Sequence, residues 1–257
     1  MSRTHTADLL DKYFLKERLP TIWCPGCGLG TANGAILRGF EAAGIDQDKT
    51  VLVNGIGCSG RTAAYLDFDV LKGTHGRAIA FATGIKLFRP ELTVIVMAGD
   101  GDTLAIGGNH FIHAARRNVD IKVILFNNFI YGMTGGQVSP TTPAGAKAST
   151  APEGYNERAF DACKLAEAAG ASYVARATSY HVQLLTKITR DAILHKGFAL
   201  VEVITQCPEQ YGRWNKSGDA YDMLVWEKDN AVRIEQSANM LPEELADKFL
   251  IGELVKR

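Results

Sequence analysis

The amino-acid sequence predicts an α/β protein: a doubly wound, mostly parallel sheet with helices on both faces. Three observations carry this reading. Apolar, β-branched runs recur at "TVLVN" from Thr50, "LTVIVMAG" from Leu92, "IKVILFNN" from Ile121 and "FALVEVITQ" from Phe198, with a weaker one, "SYVARA", from Ser172. They are continuous rather than alternating, as strands covered on both faces should be. Helical patterns separate them, and a repeated strand-helix order favours parallel pairing through crossovers. With 257 residues, 46% hydrophobic and 22% charged, the chain can build such a core as one α/β domain.

The elements follow in order. Residues 29–43, "LGTANGAILRGFEAA", carry Ala and Leu at helical spacing and stop at Gly44, so a helix opens directly after "CPGCG". Further helices are expected over 77–87, 104–117, 157–169 and 180–196. From Gly132 to Gly154 the chain is dense in Gly, Pro, Ser and Thr. That is too long for a plain connection, so the segment is either functional or mobile. Beyond Cys207 the chain turns polar and ends in "PEELADKFLIGELVKR", read as a helix. The expected division is a cofactor-binding α/β domain over 1–207 and a C-terminal extension over 208–257, packed on the domain or on a partner subunit.

Lys plus Arg count 28 and Asp plus Glu count 28, so no net field attracts nucleic acid or an anionic membrane. The start is polar with no apolar signal region, and nowhere do eighteen apolar residues run together, which reads as cytoplasmic. Five cysteines in a chain of this length fit a reducing compartment where thiols serve metals or chemistry.

Residues 54–61, "NGIGCSGR", place Gly55, Gly57 and Gly60 as G-x-G-x-x-G after an apolar run. A dinucleotide site also needs a helix starting within the glycines and an acid about twenty positions on. The stretch "HGRAIAFATGIK" near residue 80 supplies no acid and no strand end. The glycines then serve close backbone approach to something bulky beside Cys58. Cys24 and Cys27 form a C-x-x-C at a helix start, where the positive end of the helix is expected to lower thiol pKa. Cys58 follows one strand and Cys207 ends another, so the four can converge at one rim. One C-x-x-C pair joined to two distant singletons favours an iron-sulfur cluster over structural zinc. Cys163, mid-helix among alanines, reads as a small buried hydrophobe.

Strand "LTVIVMA" runs into "GDGD" and strand "IKVILF" into "NNFIYGMTGGQ". Asp100, the side-chain oxygen of Asn128 and the backbone carbonyl of Ile130 would offer Mg²⁺ three hard oxygens, with a diphosphate completing the shell. As turns alone, "GDGD" and "NN" would be unremarked. Together, "GDG", about 26 residues and "NN" resemble the motif of thiamine diphosphate enzymes.

With "WCPGCG", "GIGCSGR", "THGRA", "AGDGD", "NNFIYGMTGGQ" and "CP" added, nearly the whole chain resembles the β subunit of 2-oxoacid:ferredoxin oxidoreductases, of the 2-oxoglutarate type. The resemblance implies the pyrophosphate-binding type of thiamine diphosphate fold. It implies a [4Fe–4S] cluster on Cys24, Cys27, Cys58 and Cys207, and Mg²⁺ on Asp100, Asn128 and Ile130. Thiamine diphosphate contacts would be Ile56, Gly57, Cys58, Ser59, His75, Gly101, Asp102, Gly132, Met133 and Thr134, with His75 also the catalytic candidate. His110 and His113 read as ordinary helix-face residues.

The implied reaction converts a 2-oxoacid, coenzyme A and oxidised ferredoxin into acyl-CoA, CO₂ and reduced ferredoxin, reversibly and hence usable for CO₂ fixation. The resemblance further implies an α subunit supplying the activating Glu and most of the substrate pocket, in a dimer of αβ heterodimers. Pyruvate or a branched-chain 2-oxoacid as substrate, a non-oxidative thiamine decarboxylase, and a zinc-stabilised interaction module are the alternatives.

Overall fold

Ten strands are set out along residues 6–257, the part of the chain described by the computed structural model. They are β1 (Thr50–Asn54), β2 (Asp69–Lys72), β3 (Thr93–Gly99), β4 (Lys122–Asn127), β5 (Ile130–Tyr131), β6 (Gln137–Val138), β7 (Tyr173–Thr178), β8 (Ala199–Ile204), β9 (Ala231–Arg233) and β10 (Phe249–Lys256). Eight make one sheet in the order β2-β1-β3-β4-β8-β7-β10-β9. All neighbours pair in parallel except β10, which runs antiparallel to β7. The remaining two, β5 and β6, form a small antiparallel hairpin.

Continuous apolar runs become strands here because both faces are covered. In β3, Ile95 and Met97 point to one layer and Val94, Val96 and Ala98 to the other; β4 divides Ile124 and Phe126 from Val123 and Leu125 in the same way. The first layer is closed by α1 (Thr6–Tyr13), α2 (Gly28–Ala43) and α6 (Val182–Leu194), and the second by α3 (Ala78–Phe88), α4 (Gly108–Arg116) and α5 (Ala162–Ala168). Helix α2 buries Leu29, Ala32, Ile36 and Phe40 at helical spacing. It ends at Gly44 in the left-handed region, φ 67°, where a side chain would be strained.

Three expectations are corrected. The last segment is not a helix through its length: only Pro242–Leu245 is helical, and "FLIGELVK" becomes β10, burying Ile251 and Val255. The open edge of β7 offers its backbone a full ladder, which outweighs local helix preference. The helix expected over 104–117 is α4 preceded by a π-type turn, Gly101–Ile106, a rare geometry found mostly at functional sites. The helix expected over 157–169 shortens to α5, because the Asp161 side chain caps the backbone N–H groups of Cys163 and Lys164. After the three glycines comes a 3₁₀ segment, Ser59–Tyr65, not the α-helix that a dinucleotide fold needs.

No helix among the described residues is long and apolar enough to cross a membrane.

Helices α2 and α6 pack closely through Gly39, where an added Cβ would lie 2.6 Å from Thr189 Cβ and 2.9 Å from the Thr186 carbonyl oxygen. Backbone cannot yield cheaply, so Gly39→Val should destabilise the fold by about 1–3 kcal/mol, read as a lowered denaturation midpoint.

Candidate cofactor and metal site

Parallel strands bring the loops after β1, β3 and β4 to one edge of the sheet, where open α/β sheets hold ligands. A cavity of about 410 Å³ lies there. It is lined by Ile56, Gly57, Cys58 and Ser59 from the first loop, and Asp100, Gly101 and Asp102 from the second. Asn128, Ile130, Gly132, Met133 and Thr134 line it from the third, and His75 from the start of the α3 segment. Every residue expected to touch thiamine diphosphate or Mg²⁺ therefore faces one space. Gly99, Phe126, Tyr131 and Gln137 complete the lining and were not anticipated.

Asp102 ties these loops together. Its carboxylate is buried and accepts the backbone N–H of Ile56 at Oδ2 (3.0 Å) and that of Gly76 at Oδ1. His75 Nδ1 lies 2.8 Å from the same Oδ1. Burial pushes the Asp102 carboxyl up, opposed by the Gly76 N–H, the His75 charge and the Ile56 N–H. Gly55 is required beside it, because a side chain there would run into Asp102 Oδ2 and the Ala98 backbone. Gly57 adopts φ 100°, accessible at low cost only to glycine. Gly60 is needed for the turn, since a Cβ would strike the Gly55 carbonyl. Each glycine of the dinucleotide-like string thus serves the turn around Cys58.

Asp100 is 3% exposed, and Ser139 Oγ and Thr141 Oγ1 both donate to its Oδ2 at 2.5 Å. Burial raises its pKa, against the lowering effect of those hydroxyls. Asn128 Oδ1 accepts a long 3.4 Å bond from the Ile130 N–H. Asn127, for which the sequence reading offered no role, turns away from the cavity: its Nδ2 donates to Glu202 Oε1 at 2.8 Å. Glu202 accepts from Arg176 Nε at 2.6 Å, and Arg176 Nη2 reaches Asp161 at 2.5 Å.

Three contacts gather the cysteines. Trp23 Nε1 donates to the Cys58 carbonyl at 2.9 Å, holding the Cys24 loop against Cys58. The Gly28 N–H donates to the Gln206 carbonyl at 3.1 Å, docking the start of α2 beside Cys207, and a side chain at Gly28 would collide with Gln206. A Cβ on Gly132 would touch Cys207 Sγ at 3.5 Å and Cys58 Sγ at 3.6 Å.

The thiols feel one another. Burial pushes Cys27 up to about 12; a Leu29 backbone contact opposes it, while Cys207, Cys58 and Cys24 add to it. Cys58 rises to about 11, through burial and then Cys207 and Cys24. The expected lowering by the helix start is therefore overturned for Cys27: desolvation outweighs the helix end, and the partly buried thiol is held protonated. Cys24 is exposed.

Among the described residues, the one trio of His, Cys, Asp or Glu ligand atoms mutually within 4.8 Å is that of Asp161, Cys163 and Glu202. In the Asp161 trio, Arg176 already stands where a cation would. Cys163, 3% exposed, points its thiol at Glu202 Oε2 (3.2 Å). His110 and His113 line a surface depression with Arg116 and Arg117, a cationic setting that disfavours a metal.

A second cavity of about 200 Å³ lies behind Asn128 and Cys207, walled by Phe129, Met223, Trp226 and Glu227. Glu227 is 1% exposed. Its Oε2 accepts from Ser179 Oγ (2.9 Å) and the Tyr180 N–H (3.1 Å), while Oε1 has no protein partner.

Comparison with known proteins follows the same line. Residues 55–203 match the family model of the thiamine pyrophosphate enzyme C-terminal TPP-binding domain. The chain is 51% identical over 244 residues to the 2-oxoglutarate synthase subunit KorB of Methanocaldococcus jannaschii, covering 95% of this chain and 90% of that one. It is 41% identical over 229 residues to the 2-oxoacid:ferredoxin oxidoreductase subunit beta of Saccharolobus solfataricus, covering 88% and 74%. Among solved structures it superposes, at 34% identity and TM-score 0.85, on the 2-oxoglutarate:ferredoxin oxidoreductase of Magnetococcus marinus with 2-oxoglutarate, coenzyme A and succinyl-CoA bound. That match covers 100% of this chain and 86% of the other.

Glu227 gives a pH signature. Burial raises its pKa from 4.5 to about 7, against hydrogen bonds from Ser179 and Tyr180. The folded state thus binds a proton that the unfolded chain has lost, so this contribution to stability is complete below pH 4.5 and vanishes as pH rises to about 7. An infrared carboxylic C=O band should titrate near that pH and be missing from Glu227→Gln, whose thermal stability should lack this fall.

Proposed function

The chain belongs to the β subunits of the 2-oxoacid:ferredoxin oxidoreductases, a thiamine diphosphate-binding family of heteromeric enzymes, and from that premise we propose that it oxidatively decarboxylates 2-oxoglutarate. On this reading coenzyme A takes the acyl group as succinyl-CoA, CO₂ leaves and ferredoxin receives the electrons; run backwards, the reaction fixes CO₂. The reading rests most on one observation: the cavity lined by Asp100 and Asn128 is also lined by Cys58, and Gly132 lies between that sulfur and the sulfur of Cys207.

The residues present fit the groups proposed for them. Asp100 and Asn128 offer hard oxygens, with Ile130 beside them, and a buried carboxylate calls for a cation, as Mg²⁺ bridging to a diphosphate would supply. Cys24, Cys27, Cys58 and Cys207 join one C-x-x-C pair to two distant singletons, a spacing that favours a [4Fe–4S] cluster over structural zinc. Thiamine diphosphate supplies a nucleophilic carbon and an electron sink, the chemistry that loss of CO₂ from a 2-oxoacid needs. This chain orients that chemistry. Asp102 fixes His75 and the Ile56 turn against the cavity, and Tyr131 packs where a side chain on Gly101 would otherwise stand. The Cys58 turn, which lines the same cavity, would hold the electron acceptor at this site.

Two absences from the lining support a partner. Its acids are Asp100 and Asp102, both engaged as described, and no Glu faces the cavity. By the family resemblance, the carboxylate that activates the aminopyrimidine would be the α subunit's. Nor does a Lys or Arg line it, so the distal carboxylate of 2-oxoglutarate would be met by the α subunit or by Arg61 at the edge of the Cys58 turn. A dimer of αβ heterodimers working in the cytoplasm completes the reading, with residues 1–207 forming the cofactor domain and 208–257 the extension.

Reconstitution with the α subunit tests this. The complex should turn over 2-oxoglutarate in preference to pyruvate and branched-chain 2-oxoacids, the other candidate substrates. It should contain four iron and four acid-labile sulfide per β chain. This chain alone, given thiamine diphosphate, Mg²⁺ and coenzyme A, should be inactive; robust turnover without α, or zinc in place of iron, would refute the assignment. Cys58→Ser should lose the brown colour and ferredoxin reduction while binding thiamine diphosphate, and Gly132→Val, which fills the space between two sulfurs, should lower iron content.

A further inference from the structure

The Gly, Pro, Ser and Thr segment after β5 reads from sequence as functional or mobile. In the fold it turns inward: Ser139, Thr141 and Thr142 are 2%, 3% and 0% exposed. We propose that Ser139 and Thr141 are positioning residues for the divalent cation at Asp100, and that the stretch around them is a fixed brace of the metal corner rather than a lid. The inference rests on the reading of Asp100 as a cation ligand.

Geometry carries it. Both hydroxyls fall on the same oxygen, Oδ2, at 2.5 Å, so they fix the rotation of the carboxylate as well as its position. Thr141 Oγ1 also lies 2.8 Å from Asn127 Oδ1. A hydroxyl has one proton, and a carboxylate is the better acceptor, so that proton goes to Asp100. Thr141 thus stands beside the strand end that bears the second ligand loop.

The brace is itself held. Thr142 Oγ1 donates to the Phe129 carbonyl at 2.6 Å and accepts the Ser139 N–H at 2.8 Å. Phe129, at φ 63°, is one of the described non-glycine residues in the left-handed region. Behind Asn127 stand Glu202, Arg176 and Asp161, an ionic row buried at Glu202 and Arg176 and partly exposed at Asp161. Swinging residues 139–142 outward would strip Asp100 of both its hydroxyl donors. A segment so anchored does not serve as a gate.

Partners of metal-binding carboxylates tune affinity by about 10–100-fold. The test uses the assembled αβ complex with thiamine diphosphate and Mn²⁺ as the probe, free Mn²⁺ being read by electron paramagnetic resonance. Thr141→Val, nearly isosteric, should weaken Mn²⁺ binding by about 10–100-fold, and Ser139→Ala should weaken it less. Thr141→Ser, which restores the hydroxyl, should bind nearly as wild type. Iron content should stay unchanged in all three, and excess Mn²⁺ should recover turnover in Thr141→Val. If Thr141→Val and Ser139→Ala hold Mn²⁺ as tightly as wild type while Asp100→Ala has lost it, the positioning role is wrong and the cation site stands. If Asp100→Ala keeps its Mn²⁺, the cation site is wrong and the positioning role goes with it.

Discussion

The buried carboxylate of Asp102 is the interaction on which the site depends. A charge taken out of water must be compensated, and here compensation comes from the backbone of the Ile56 turn, the backbone at Gly76 and the ring of His75. Three loops from different strands are thereby held to one another around a space none of them could enclose alone. The demand is mutual. Gly55 must lack a side chain for the acid to reach Ile56, and the tight π-type turn at Gly101–Ile106 is what aims the acid back across the sheet edge.

Two acids one residue apart therefore do opposite work. Asp102 looks into the protein and spends its oxygens on loop backbone. Asp100 is gripped at one oxygen by two hydroxyls, which suits a carboxylate that presents its charge to a ligand. Their shared motif, "GDGD", reads as an anonymous turn until the loops it organises are known. Neither acid could take the other's place, because each is oriented by partners that arrive from a different part of the chain.

Much of the frame was legible because burial on both faces leaves a plain mark: uninterrupted apolar runs at Thr50, Leu92, Ile121 and Phe198 became central strands. What was missed lacks that mark. Strand β2 is largely exposed and carries no apolar pattern, while β10 offers "FLIGELVK" behind a helical start, and its pairing with β7 and β9 decides its conformation. The gathering of cysteines could be anticipated from their places at element ends. Their protonation could not, since it depends on how deeply Cys27 and Cys58 are covered. Ser139, Thr141 and Asn127 gave no local signal, because small polar residues in a Gly and Pro-rich stretch look alike whether they face water or a buried acid.

Strand β10 also has a bearing on how the molecule is made. Its antiparallel seat on β7 is filled by residues synthesised later than those of any other strand. Until they emerge from the ribosome, β7 keeps a bare row of amide and carbonyl groups at a rim already built for hydrogen bonding. From the emergence of β7 until β10 joins it, a nascent chain of this design is adhesive along that one rim, and β10 then covers it.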